Sequence, residues 1–181
     1  MKNYLSFFAS LLLIATLSSC DDGRIYEKTV TAQAEGRVLK LTGTLAKTNS
    51  WSNGYNLVIA GFNSESEYAV ISKNLPSSIE DGDHFELIMP GIKEDVEEVE
   101  LCVINRLRKR IITYHKIEDI QTASDTIYMT VNNLDVSMYQ AIQSEIFDAN
   151  CVNCHGRSTS AAAGLFLTAD PSYDALINKS S

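Results

Sequence analysis

The stretch RVLKLTGTL, Arg37 to Leu45, sets Leu39, Leu41 and Leu45 on one side of an extended chain and Lys40 and Thr44 on the other. Alternation with a period of two marks a strand with one face in a core and the other in water. The same pattern extends in both directions. From Tyr26 to Val131 short apolar runs alternate with turn residues at intervals of roughly ten, and almost no stretch has helical periodicity. Candidate strands are YEKTVTAQA (26–34) and RVLKLTGTL (37–45), joined at Glu35-Gly36, then YNLVIAGF (55–62) and EYAVIS (67–72) across a polar loop. They continue with HFELIM (84–89), stopped by Pro90, VELCVIN (99–105), RIITYHKI (110–117) and DTIYMTV (125–131). So many short strands in about a hundred residues predict a mainly β chain, with a small sandwich of immunoglobulin-like or fibronectin-like kind over 21–133.

At Ser137 the period changes. Ser137-Met138-Tyr139-Gln140 has the spacing of a capping box, and after it Met138, Ile142 and Ile146, with Tyr139 and Phe147 alongside, recur at three to four residues. The spacing predicts a helix from Met138 to Asn150 that ends directly on Cys151. A boundary near Asn133-Leu134-Asp135 separates the β region from a second, helical unit over 134–181.

The chain has 181 residues, a formal net charge of -8 and a pI near 4.8. Nucleic-acid binders carry a basic face, so this balance argues against such a partner. Residues 1–20, MKNYLSFFASLLLIATLSSC, join one lysine to an apolar stretch from Tyr4 to Leu17 and small residues before a cysteine, which reads as a secretory signal and not as a spanning helix. Its end, Leu17-Ser18-Ser19-Cys20, resembles the lipobox of bacterial lipoproteins, which implies that Cys20 is lipidated and anchors the chain to the cell envelope. Asp21-Asp22-Gly23 resembles the acidic signals that send Bacteroidetes-type lipoproteins to the cell surface, which implies the outer membrane; in enteric bacteria an aspartate there implies retention at the inner membrane.

Three cysteines remain. Cys102 lies in a candidate strand and reads as a small buried hydrophobe. Cys151 and Cys154 belong to CVNCHG, residues 151–156. The spacing C-x-x-C-H suits covalent haem attachment, because two thiols three residues apart reach the two vinyl groups of one porphyrin and the next residue lies under the iron. Cys151 and Cys154 are the candidate thioether residues and His155 the candidate axial ligand, for one haem c. Structural zinc wants four donors, and adjacent Cys154 and His155 make a shared tetrahedral site awkward. A dithiol enzyme would set C-x-x-C at a helix N-terminus after a strand, whereas here the motif follows a helix. A chance or decayed motif stays open.

Residues 147–181 resemble the opening of the cytochrome c-like haem-binding domains of Bacteroidetes and Planctomycetes lipoproteins. The elements that carry the likeness are CVNCHG, the small residues Ala161 to Ala163, Gly164-Leu165-Phe166-Leu167-Thr168, Tyr173 and Ala175-Leu176-Ile177-Asn178. The resemblance implies a covalent haem, electron transfer and a redox partner protein. Such domains continue for several tens of residues and bring a second axial ligand, usually methionine, from that later part. No Met, His or Cys follows His155. A shortened gene product, a ligand from a partner or five-coordinate iron would each account for that. Met129, Met138, His84 and His115 are upstream candidates for the sixth position.

Two charge runs remain. Lys93 to Glu100 lacks the spaced oxygen ligands and glycine of a calcium loop and reads as a solvated approach to a strand. Arg106-Leu107-Arg108-Lys109-Arg110 reads as a charged hairpin tip, solvated or docked on an acidic redox partner. The combined expectation is a non-enzymatic envelope lipoprotein that transfers electrons through haem c. The alternative is a surface β-sandwich with a binding or adhesive role and an inert, truncated haem segment.

Overall fold

The computed structural model describes residues 35–122, 125–156 and 161–177. The signal sequence, Cys20 and the candidate strand 26–34 lie outside the described residues. Within them the chain is mainly β, in two sheets. The strands are β1 (Arg37–Ala46), β2 (Tyr55–Phe62), β3 (Ile71–Asn74), β4 (His84–Ile92), β5 (Glu98–Asn105), β6 (Arg110–Ile117) and β7 (Thr126–Asp135). One sheet has the order β4-β1-β7, with β1 antiparallel to β4 and parallel to β7. The other has the order β3-β2-β5-β6 and is antiparallel throughout.

The opening stretch does what its pattern dictates. Leu39, Leu41 and Leu45 are buried, and they meet Phe85, Leu87 and Met89 of β4 and Ile127, Met129 and Val131 of β7 in one cluster. Ile59 of β2 and Val99 and Leu101 of β5 complete it, so the two sheets face each other across a shared core. In this second sheet the middle strands are buried on both faces along most of their length, β2 from Val58 and β5 from Val99 to Ile104: Val58, Ala60 and Phe62 alternate with the inner residues and cluster with Cys102, Ile104 and Ala69. Cys102 is fully buried, as a small hydrophobe, and burial pushes its thiol pKa up. On this outer side Glu100 is also enclosed; it accepts hydrogen bonds from Arg110 and from Thr113 Oγ1 at 2.6 Å. Arg110 in turn bonds Glu98 at 2.8 Å and stacks 4.7 Å from the Phe62 ring centroid.

Three strand boundaries differ from the pattern in the sequence. Strand β4 passes through Pro90 to Ile92, because it pairs only with β1 and an edge strand tolerates a residue without an N–H. Within EYAVIS only Ile71 and Ser72 join β3; Tyr68 makes an isolated bridge to Lys109. Strand β7 outruns Val131 to Asp135, by a bulge opposite Gly43. A Cβ on Gly43, at φ 140°, would lie 1.8 Å from the Val131 carbonyl oxygen, so glycine is required there.

The helix also differs. It does not stop at Cys151 but runs on through the motif as α1 (Met138–Ile142), a π-helical stretch (Gln143–Cys151) and α2 (Val152–His155). Its N-cap is Ser137, whose Oγ accepts from Gln140 N at 3.1 Å. The second half of the capping box is supplied from behind: Asp135 Oδ1, not Gln140, takes the Ser137 N–H at 2.8 Å. Met138 and Ile146, expected on a buried stripe, are exposed, and Ala141 and Gln143 are buried instead. The sheet edge decides this. Trp51 Nε1 donates to the Val136 carbonyl at 2.9 Å and Tyr114 OH to the Ser137 carbonyl at 2.7 Å, which turns Ala141 onto Val103 and Ile112. A last helix, α3 (Ala169–Ile177), follows the motif loop.

Candidate functional site

Cys151, Cys154 and His155 occupy positions i, i+3 and i+4 of one helical run, so they share a face. Cys151 and His155 are half-buried, Cys154 is exposed, and both thiols are free. The helix begins at Ser137, which places the thiols at its C-terminal end. Dithiol enzymes set such a motif at the opposite end, a helix N-terminus.

His155 is oriented by the chain beyond it. Its Nδ1 lies 3.0 Å from the Leu165 carbonyl oxygen. A carbonyl only accepts, so a proton is assigned to Nδ1, which leaves Nε2 as the ring nitrogen open to a ligand. The Leu167 N–H returns to the His155 carbonyl at 2.9 Å. Gly156 permits the exit from the helix: a Cβ there would sit 2.4 Å from the Val152 carbonyl oxygen.

The strap Leu165–Leu167 is held against the helix by a polar network. Gln143, almost fully buried, donates from Nε2 to the Leu167 carbonyl at 2.9 Å and to Asp148 Oδ1 at 2.7 Å. Its Oε1 accepts from Ser172 Oγ at 2.6 Å, and that hydroxyl accepts from Tyr139 OH at 2.8 Å. Tyr139 also meets Tyr173 edge-on, with ring centroids 5.0 Å apart, and Phe147 at 6.5 Å. Sequence reading missed Gln143 and Ser172. The one available signal was a glutamine directly after Ile142 in an otherwise apolar-periodic stretch.

The donor set suits covalent haem: two accessible thiols one turn apart and an imidazole whose Nδ1 is held by a backbone carbonyl. A zinc cage fits less well, since no group of three or more His, Cys, Asp or Glu side chains able to hold a metal ion occurs among the described residues. Of the upstream donors, Met129 is fully buried in the core between the sheets, which removes it as an iron ligand. His84 opens β4, exposed, and His115 lies in β6, half-buried. Met138 lines a cleft of about 540 Å³ together with Lys47, Asp135, Tyr139 and Tyr173. The polar groups of that cleft are already engaged. Lys47 Nζ lies 2.7 Å from Asp135 Oδ2, and this bond raises the lysine pKa. Partial burial raises the Asp135 pKa, but bonds from Lys47 and Ser137 outweigh it and leave the carboxyl below its ordinary value.

Comparison of the chain with family models, with curated proteins and with solved structures finds no match.

Proposed function

We propose that this chain is an electron-transfer lipoprotein of the bacterial cell envelope, with one covalent haem c attached to Cys151 and Cys154 and ligated by His155. The observation that carries the reading is the Nδ1 contact of His155 with the Leu165 carbonyl, on the face that also bears both thiols. When bound, haem c supplies a one-electron iron couple, which needs no general base or nucleophile. The protein's part is to fix the imidazole and to offer the thiols. Lipidation at Cys20 and the acidic residues after it place the protein at the outer membrane in this reading, where a partner protein exchanges the electron. The β region would serve as an immunoglobulin-like spacer: β1 beside β4, with β2, β5 and β6 opposite, matches the B–E and C–F–G pairings of that fold.

The test is a reduced pyridine-haem spectrum of protein exported from cells with c-type maturation machinery. We expect a covalent c-type band, absent from Cys151→Ala/Cys154→Ala. Export without retained haem would overturn the reading and turn attention to the β region as a binding surface.

A further inference from the structure

The β5–β6 hairpin carries a feature that the haem reading leaves unused. Its tip, residues 106–109, presents Leu107 at 74% exposure between Arg106 and Arg108. Tyr55 and Ile111, 41% and 43% exposed, flank it and line with Leu107 and Arg106 a shallow depression of about 360 Å³. Lys109 pairs with Glu67 at 3.0 Å and Arg110 with Glu98 and Glu100, but Arg106 and Arg108 make no ion pair among the described residues. Two uncompensated cations in a chain of net charge -8 form a local exception.

The tip is also built to be rigid. Asn105 Oδ1 accepts from the N–H groups of both Leu107 and Lys109 at 2.9 Å, and the Arg108 N–H returns to the Asn105 carbonyl at 2.9 Å. Arg108 holds φ at 65°, a conformation that glycine adopts without strain. The sequence thus keeps a charged side chain where the backbone favours none.

We propose that this tip, Arg106 to Lys109 with Tyr55 and Ile111, is a contact site for an anionic phospholipid surface. A convex apex with one large apolar side chain between cations matches a bilayer interface, which offers phosphates and an apolar layer within roughly 5–10 Å of each other. An acidic protein surface would satisfy the arginines but set Leu107 against charge. Tyr55 has the amphipathic ring favoured at headgroup depth.

The full chain carrying Leu107→Trp reports on the apex alone, since contacts made elsewhere leave that indole unmoved; emission of the parent protein, with Trp51 only, is subtracted. On phosphatidylglycerol/phosphatidylcholine vesicles its emission shifts to the blue and is quenched by brominated acyl chains, and on phosphatidylcholine alone it does not shift. Adding Arg106→Glu/Arg108→Glu raises the half-saturating lipid concentration by about thirtyfold or more. An unshifted emission on both vesicles, or an equal shift on both, overturns the proposal. A shift with polyglutamate and none with vesicles also overturns it, and assigns the tip to an acidic protein.

Discussion

Gln143→Leu tests whether the strap that orients His155 is held by the buried amide. The substitution keeps nearly the same volume and removes three hydrogen bonds, to Asp148, Leu167 and Ser172. Asp148 is exposed, so its carboxylate regains water and its lost bond counts little. The Leu167 carbonyl stays buried without that donor, at about 1–3 kcal/mol, and the lost Ser172 bond adds about 0.5–1.5 kcal/mol. Ser172 Oγ keeps the Ala169 carbonyl as an acceptor at 3.3 Å, which limits the second term. The sum is about 1.5–4.5 kcal/mol, or roughly a ten- to two-thousandfold rise in local opening. Amide hydrogen exchange reads it directly, because the Leu167 N–H bonds His155 and the Ser172 N–H bonds Thr168. Both amides should lose protection by that factor while amides of β1 keep theirs. In a cycle with Ser172→Ala the two losses should fall short of additive by about 0.5–1.5 kcal/mol. Unchanged protection at Leu167, or an equal fall in β1, would refute the reasoning: the first means the amide does not hold the strap, the second that strap and sheet open together.

Arg110→Met leaves the enclosed Glu100 with Thr113 as its remaining partner and should cost about 3–5 kcal/mol in urea unfolding at neutral pH, with much of the loss recovered in Arg110→Met/Glu100→Gln. Burial raises the folded-state pKa of Glu100 against the bonds from Thr113 and Arg110, so in the window upward from its ordinary 4.5 the native state holds more proton than the unfolded one. Stability from this group therefore falls as pH rises through that window, and Glu100→Gln should remove this slope in a series of melts. Asn105→Ala removes two side-chain bonds to the hairpin tip and should destabilise by about 1–2 kcal/mol in a thermal melt. Met129→Leu should cost less than about 1.5 kcal/mol and leave the spectrum of haem-loaded protein unchanged, because the side chain lies in the core; a changed axial-ligand signature would contradict that placement.

The strands were legible where one face alone meets the core. In β1 the leucines at 39, 41 and 45 carry the pattern without help from turns, and β6 has the bounds its apolar run suggests. Pro90 misled because proline stops central strands, and edge position is not written in a local stretch. The two buried faces of β2 and β5 appear as continuous apolar runs, YNLVIAGF and VELCVIN, which mark strands but conceal which side meets the second sheet. The C-x-x-C-H spacing stands in the sequence, and the structure sets its three side chains on one helical face. The Leu165 carbonyl that orients His155 was not legible, since a backbone acceptor ten residues away leaves no trace in residue types.

The helix shows why periodicity failed at the site itself. A stripe at 138, 142 and 146 assumes that one face meets a core along the whole length, yet the β region grips the helix at its start, through Trp51 of the β1–β2 loop and Tyr114, Val103 and Ile112 of the second sheet. Past Ala141 the π-helical stretch replaces i→i−4 with i→i−5 bonding, as in the Val152 N–H to the Phe147 carbonyl, and rotates the later residues away from the predicted face. What the helix then buries is Gln143, against its own chain beyond the motif. The thiols and the imidazole therefore sit on the half of the helix that the strap steadies, which is why loss of the single buried amide of Gln143, two turns before the motif, is expected to loosen the hold on His155.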